Sequence, residues 1–234
     1  LVEAAGGVPL LLVELALTLQ QSGALRSRPG TDGIYVAADH LVHLSSTPLG
    51  ERMAERALSE MPPSSVLFAR LCAVLGDDVE LADLEEAQRA TGGGAWVDAR
   101  VGLNRLCAAG VLRSVGASRW RFEHRMLRQG VLAGMPSGER DLLHRAALAV
   151  EEARVEPRFD RLAEHASAIG DREKAWSAYA ALAEASAAAG HMMEAELAWT
   201  SALSNLSASD VRRELALAGR GHAREKLQGF HEAL

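Results

Sequence analysis

Near residue 110 the hydrophobic period of this sequence changes, and the change limits what the chain can fold into. Upstream of Gly110, apolar residues recur at helical spacing in segments that glycine and proline cut short. From Val111 the pattern alternates instead: Val111-Leu-Arg-Ser-Val115, a Gly116-Ala-Ser118 turn, then Arg119-Trp-Arg-Phe122. Alternation around a glycine turn predicts a β-hairpin. Downstream the helical period returns, interrupted at Pro136 and Pro157.

The helical segments carry their own start and stop signals. Pro9 suits the first turn of a Leu-rich helix, because its missing N–H would be unpaired there, and Gly23 suits the helix end. Glu14, Thr18 and Gln21 form a thin polar stripe on that helix, so most of its surface needs cover. Residues 23–48 form a connector, in which Ala24-Leu-Arg26 and Ile34-Tyr-Val36 flank Pro29-Gly-Thr-Asp-Gly33 as a small hairpin. Helices follow over 49–60, from Pro62-Pro63 with Ser64 as cap, over 81–90, and over 95–109 after Gly92-Gly-Gly94. Three helices and then a hairpin is the winged-helix order, with the hairpin as wing. Further helices are expected over 123–135 and 138–153.

Beyond Pro157 the texture becomes Ala-rich and self-similar. Gly170-Asp-Arg-Glu-Lys-Ala175-Trp-Ser-Ala178-Tyr179 superposes on Gly190-His-Met-Met-Glu-Ala195-Glu-Leu-Ala198-Trp199, and Gly229-Phe-His-Glu-Ala233 reads as a third start. Small residues at helix crossings with an aromatic nearby describe tetratricopeptide-like (TPR-like) packing. The expected fold is therefore mostly α: a winged-helix domain with a small β-hairpin wing, followed by an α-helical TPR-like repeat array. Its divisions are 1–48 (a helical element and connector), 49–155 (winged helix) and 156–234 (start of the repeats).

Composition narrows the role. Aromatics make up 4% of the 234 residues while Ala and Leu abound, favouring helix. The net charge is −6, so no global basic field draws nucleic acid or anionic lipid. Cys72 and Cys107 lack a Cys or His at ligand spacing, which makes them buried thiols of a reducing compartment; cytoplasmic is the expected location. The Val8–Leu19 run contains Glu14 and is too short to span a bilayer. The absence of an initiator Met points to a piece of a longer chain.

Each chemical motif has a plainer reading beside it. No Gly-Lys dipeptide exists, so the chain holds no phosphate-cradling P-loop. Leu71-Cys-Ala-Val-Leu75-Gly76-Asp77-Asp78 imitates a strand ending in a Mg-binding Asp pair, yet its spacing is helical and its acids read as solvated. His40 and His43 lack the carboxylate or Cys that would complete a metal set, and no Gly-x-Ser-x-Gly elbow marks a nucleophile. The third winged-helix helix presents Asp98, Arg100, Asn104 and Arg105, a mixed face ill suited to DNA. His124, where the wing meets the next helix, either faces a phosphate from a helix N-terminus or hydrogen-bonds its turn.

Several of these stretches together resemble one family. Gly6-Gly7-Val8-Pro9 before a Leu-rich helix resembles the Gly-x-Pro motif in the helical lid of STAND-class signalling ATPases, which include the maltose-regulon activator and large LuxR-type regulators. Leu112–Leu127, with Arg121-Phe-Glu-His124, is similar to the winged-helix segment carrying that family's Met-His-Asp-type element; here Glu123 replaces the Met and Arg125 the Asp. Arg140-Asp-Leu-Leu-His144 and Leu162-Ala-Glu-His165 look like the helix and repeat start that follow it. The stretch from Pro48 to Gly76 resembles bacterial Ser/Thr protein kinases with an ATPase and repeat region behind the kinase.

The resemblance implies that residues 1–48 end an ATPase lid, that Pro9 packs against adenine with Gly7 allowing close approach, and that His124 contacts the diphosphate. These would be nucleotide contacts of a parent protein that binds ATP or ADP; the chain itself would carry no cofactor, no metal and no catalytic residue. Its partners would be a protein or the upstream ATPase core, neither membrane nor nucleic acid, with oligomerisation left open. The expected function is a non-catalytic regulatory segment of a signal-transduction ATPase, in a Ser/Thr kinase or a transcriptional regulator. The alternatives are a DNA-binding winged-helix regulator and a plain protein-binding scaffold.

Overall fold

In the computed structural model the described residues are 48–92 and 96–232, together with 9, 13, 16, 20, 25–27 and 34–36. Among them the protein is mostly helical with a small antiparallel sheet, and it divides into two compact units, Leu1–Glu139 and Arg140–Leu234. Pro9 is helical and exposed, as are Val13, Ala16 and Gln20. A hairpin pairs β1 (Leu25–Ser27) with β2 (Ile34–Val36), Leu25 opposite Val36.

Three helices form the scaffold of the first unit. Helix α1 (Pro48–Ser59) lies against α5 (Arg125–Ala133), and α2 (Pro63–Leu75) is buried on nearly every side through Phe68, Leu71, Cys72 and Val74. Pro63 sits in the first turn of α2 and no side chain caps it, so Ser64 is not the cap expected from the sequence. A proline that lacks the N–H already removes one donor from that end. Gly76 ends α2 at φ 133°.

The acids after Gly76 stay accessible to solvent, as expected, but they do not simply end a helix: Asp78–Glu80 is strand β3. It joins β4 (Leu112–Ser114) and β5 (Arg119–Phe122) in a sheet of order β3-β5-β4, antiparallel throughout. One face buries Val79, Leu112, Trp120 and Phe122. The other pairs Asp78 with Arg121, Glu80 with Arg119 and Arg113 with Glu123.

Helix α3 (Leu81–Ala90) follows β3 directly, and α4 (Ala99–Ala108) starts later than the 95–109 expected. Residues 96–98 are not helical, because Asp98 accepts a hydrogen bond from the Val101 N–H at 3.0 Å and so caps α4. Gly110, at φ 69°, stops α4 while the Val111 N–H closes back on the Leu106 carbonyl at 2.9 Å, a left-handed glycine stop.

The second unit is a run of helices: α6 (Ser137–Glu152, which begins in the first unit), α7 (Phe159–Ala168), α8 (Arg172–Ala188), α9 (Met192–Ser204) and α10 (Arg212–Glu232). From α7 to α10 each helix packs on the next. Connections of only residues 169–171 and 189–191 turn the chain straight back, and both repeat the glycine stop, at Gly170 and Gly190. The sequence self-similarity therefore relates neighbouring helices, α8 to α9, with Ala175, Ala178, Ala195 and Ala198 buried at equivalent places. No third start exists at Gly229, which lies inside α10, a helix whose side chains to residue 227 are described.

Two glycines of α10 test this packing. A Cβ on Gly219 would overlap the Trp199 indole, whereas one on Gly221 would meet nothing within 4 Å. Helix propensity alone favours alanine over glycine by about 1 kcal/mol. Gly221→Ala should therefore raise the urea midpoint and Gly219→Ala lower it; equal shifts would contradict the α9–α10 contact.

Candidate functional site

The residues nominated from the sequence fare differently. Gly7 lies outside the described residues, as do His40 and His43; Pro9 is helical and exposed. His124 sits at the N-terminal edge of α5 in extended backbone, φ −136° and ψ 134°, where its carbonyl receives the N–H groups of Leu127 (3.0 Å) and Arg128 (3.3 Å). Its imidazole does not cap the helix, and its Nδ1 is buried without a hydrogen-bond partner. The plainer expectation of a histidine bonding its own turn therefore fails. A buried polar nitrogen left unpaired costs about 1–3 kcal/mol, so such an atom calls for an explanation.

Neighbouring charges are spent on structure. Glu123 faces Arg113 at 3.9 Å, and Arg125 faces Asp77 at 3.8 Å. Buried Arg128 donates to the Ala73 carbonyl at 2.7 Å and reaches Asp77 at 3.4 Å. These contacts explain why the positions flanking His124 carry Glu and Arg: they tie α5 to the sheet and to the end of α2.

His124 lines an open groove of about 880 Å³ between α1, the C-terminal end of α4 and the start of α5. Arg56 and Arg105 line it too, with Met53, Met61 and Leu127 as apolar wall. Neither guanidinium has an ion-pair partner among the described residues. Among the described residues Glu60 is the carboxylate that lines the same groove. Sequence reasoning placed Arg105 on a mixed helix face ill suited to DNA and did not single out Arg56; no local pattern links these residues of three separate segments.

The sheet offers nucleic acid little. Arg119 and Arg121 are met by Glu80 and Asp78, and the Arg121 guanidinium, bonded at 2.6 Å, holds the Asp78 carboxyl below its usual range. Asp98, one of the residues of the mixed face on α4, is consumed as a cap. Burial pushes the Cys72 thiol far up, so it is protonated and inert. Among the described residues no three His, Cys, Asp or Glu side chains are arranged to hold a metal ion, and no helix is long and apolar enough to cross a membrane.

A mostly helical chain with a three-stranded antiparallel sheet and a cationic, partly apolar groove is thus the class of molecule in hand. Comparison with known protein families, with curated proteins and with solved structures finds no match in any of the three.

Proposed function

We propose that the chain is a non-catalytic regulatory segment of a signal-transduction ATPase, coupling the nucleotide state of an upstream core to a ligand- or protein-sensing repeat domain. The parent would be a Ser/Thr kinase or a transcriptional regulator of the cytoplasm. The observation that carries this reading is the unpartnered, buried Nδ1 of His124 at the start of α5. An imidazole whose Nδ1 has no partner among the described residues, at a helix N-terminus, is suited to a diphosphate.

Other features support the architecture of the proposal. Helices α2, α3 and α4 running into a three-stranded sheet fit a winged-helix reading of 49–155. Alanine-lined crossings between reversed neighbouring helices fit a TPR-like reading of 156–234. Residues 1–48 as a lid end, with Gly7 and Pro9 beside the adenine, rest on the resemblance alone. Neutralised arginines on the sheet weigh against the DNA-binding alternative.

In the parent protein, His124→Ala removes one charge-assisted hydrogen bond worth about 1.5–3 kcal/mol, so ADP release should speed up by about tenfold or more. Stopped-flow release of a fluorescent ADP measures it, and unchanged rates would remove His124 from the nucleotide site. Calorimetry of the chain alone with ATP should show no tight binding; a tight complex would overturn the regulatory-segment reading.

A further inference from the structure

The groove between α1, α4 and α5 is larger and more apolar than a phosphate requires, and its chemistry points to a second occupant. Most arginines of this unit are held by carboxylates: Arg70 by Glu139, Arg89 by Glu86, Arg119 by Glu80 and Arg121 by Asp78. Among the described residues Arg56, Arg100 and Arg105 have no such partner, and of these Arg56 and Arg105 line one groove with His124. Like charges gathered in a shared concavity repel until an anion joins them. Met53, Met61 and Leu127 add an apolar wall, and thioether side chains adapt readily to an incoming apolar group.

From this juxtaposition we infer that the groove docks an acidic amphipathic segment of a protein partner. Its apolar side chains lie against Met53, Ala57 and Met61 while its carboxylates meet Arg56 and Arg105 in paired, fork-like hydrogen bonds. The half-buried apolar side chains of Met53, Ala57 and Met61 favour this occupant over a compact polyanion, which would leave them uncovered. The inference rests on the reading of the chain as an interaction segment and concerns no nucleotide, so its failure and that of the His124 experiment in the parent are distinguishable.

The test uses the whole chain and a fluorescein-labelled helical peptide with Leu at i, i+4 and i+7 flanked by Glu, beside a counterpart with Lys for Glu. Anisotropy should show binding of the Glu peptide and not of the Lys peptide. Arg56→Ala with Arg105→Ala should weaken binding by about tenfold or more, while Arg89→Ala, on a carboxylate-paired arginine, should leave it unchanged. In the unaltered chain, amide shifts caused by the peptide should concentrate at residues 53–61, 105–110 and 124–127, independently of any variant. Equal binding of both peptides, full binding by the double variant, or shifts elsewhere would overturn the proposal. So would binding of inorganic pyrophosphate without binding of the Glu peptide, which would make the groove a small-anion site.

Discussion

Trp199→Ala should destabilise the helical unit by about 3–5 kcal/mol, the range for removing a buried large aromatic side chain. The indole is 4% exposed and sits in a cluster with Ala180, Ala183, Ala198, Ala202, Leu203 and Ala216, against which the partly buried Trp176, Tyr179 and Leu182 pack. Five of the six buried neighbours are alanines, too short to fill the space an indole leaves, so part of the cavity stays open. The same ring lies where a Gly219 Cβ would be, which makes it the filler that joins α9 to α10. Urea unfolding followed by circular dichroism gives the loss, and hydrogen exchange should locate it in α10. Trp199→Phe should cost clearly less, because a ring still fills most of the volume. A loss below about 1 kcal/mol would mean that the cluster is not the unit's core.

Gly130→Ala comes second, and its sign opposes helix propensity. Within α5, alanine should gain about 1 kcal/mol over glycine. A Cβ there, however, would overlap the carbonyl oxygen of Gly50, with the Ala54 Cβ 3.0 Å away. Backbone cannot rotate aside as a long side chain does, so α1 must move off α5. Overpacking of this kind costs about 1–3 kcal/mol, and loss of the α1–α5 contact adds to it. The net expectation is a destabilisation of about 2 kcal/mol or more in denaturant melts, with faster amide exchange in α1. Neutral or improved stability would show that the two helices are not in backbone contact. Because α1 carries Arg56, the variant should also lose affinity for the acidic peptide.

Much of the fold was legible because glycine and proline act locally. Gly110, Gly170 and Gly190 adopt positive φ, Gly110 stopping a helix where the sequence placed a stop and the other two standing just before the helices expected to follow them. The alternation over 111–122 became β4 and β5, and the turn-rich stretch before Pro48 holds the β1–β2 hairpin. The elements that sequence misjudged have non-local causes. Asp78-Val79-Glu80 is too short to show a period and is a strand only because β5 lies beside it, Val79 opposite Trp120. Trp96 and Val97 could continue a helix, but Trp96 donates to the Thr91 hydroxyl at 2.6 Å, the Val97 carbonyl accepts from the Gln88 side chain, and the Asp98 cap starts α4 late. Gly229 reads as a third repeat start, yet α10 runs through it.

His124 could be nominated from sequence, since a resemblance and a strand-to-helix junction both single it out. Its unpaired Nδ1 could not, because burial and the lack of a partner are properties of the surroundings rather than of the residue. The companions of His124 were equally hidden: Arg56 and Arg105 are ordinary exposed-face arginines of two amphipathic helices until those helices meet at α5. The sequence by itself determined helices, breaks, hairpins and the alanine-lined crossings, all set by spacing and backbone preference over a few residues. Which charges pair and which stay free, and where a groove opens between three helices, was decided by tertiary structure alone, since electrostatic pairing depends on distances that only packing defines.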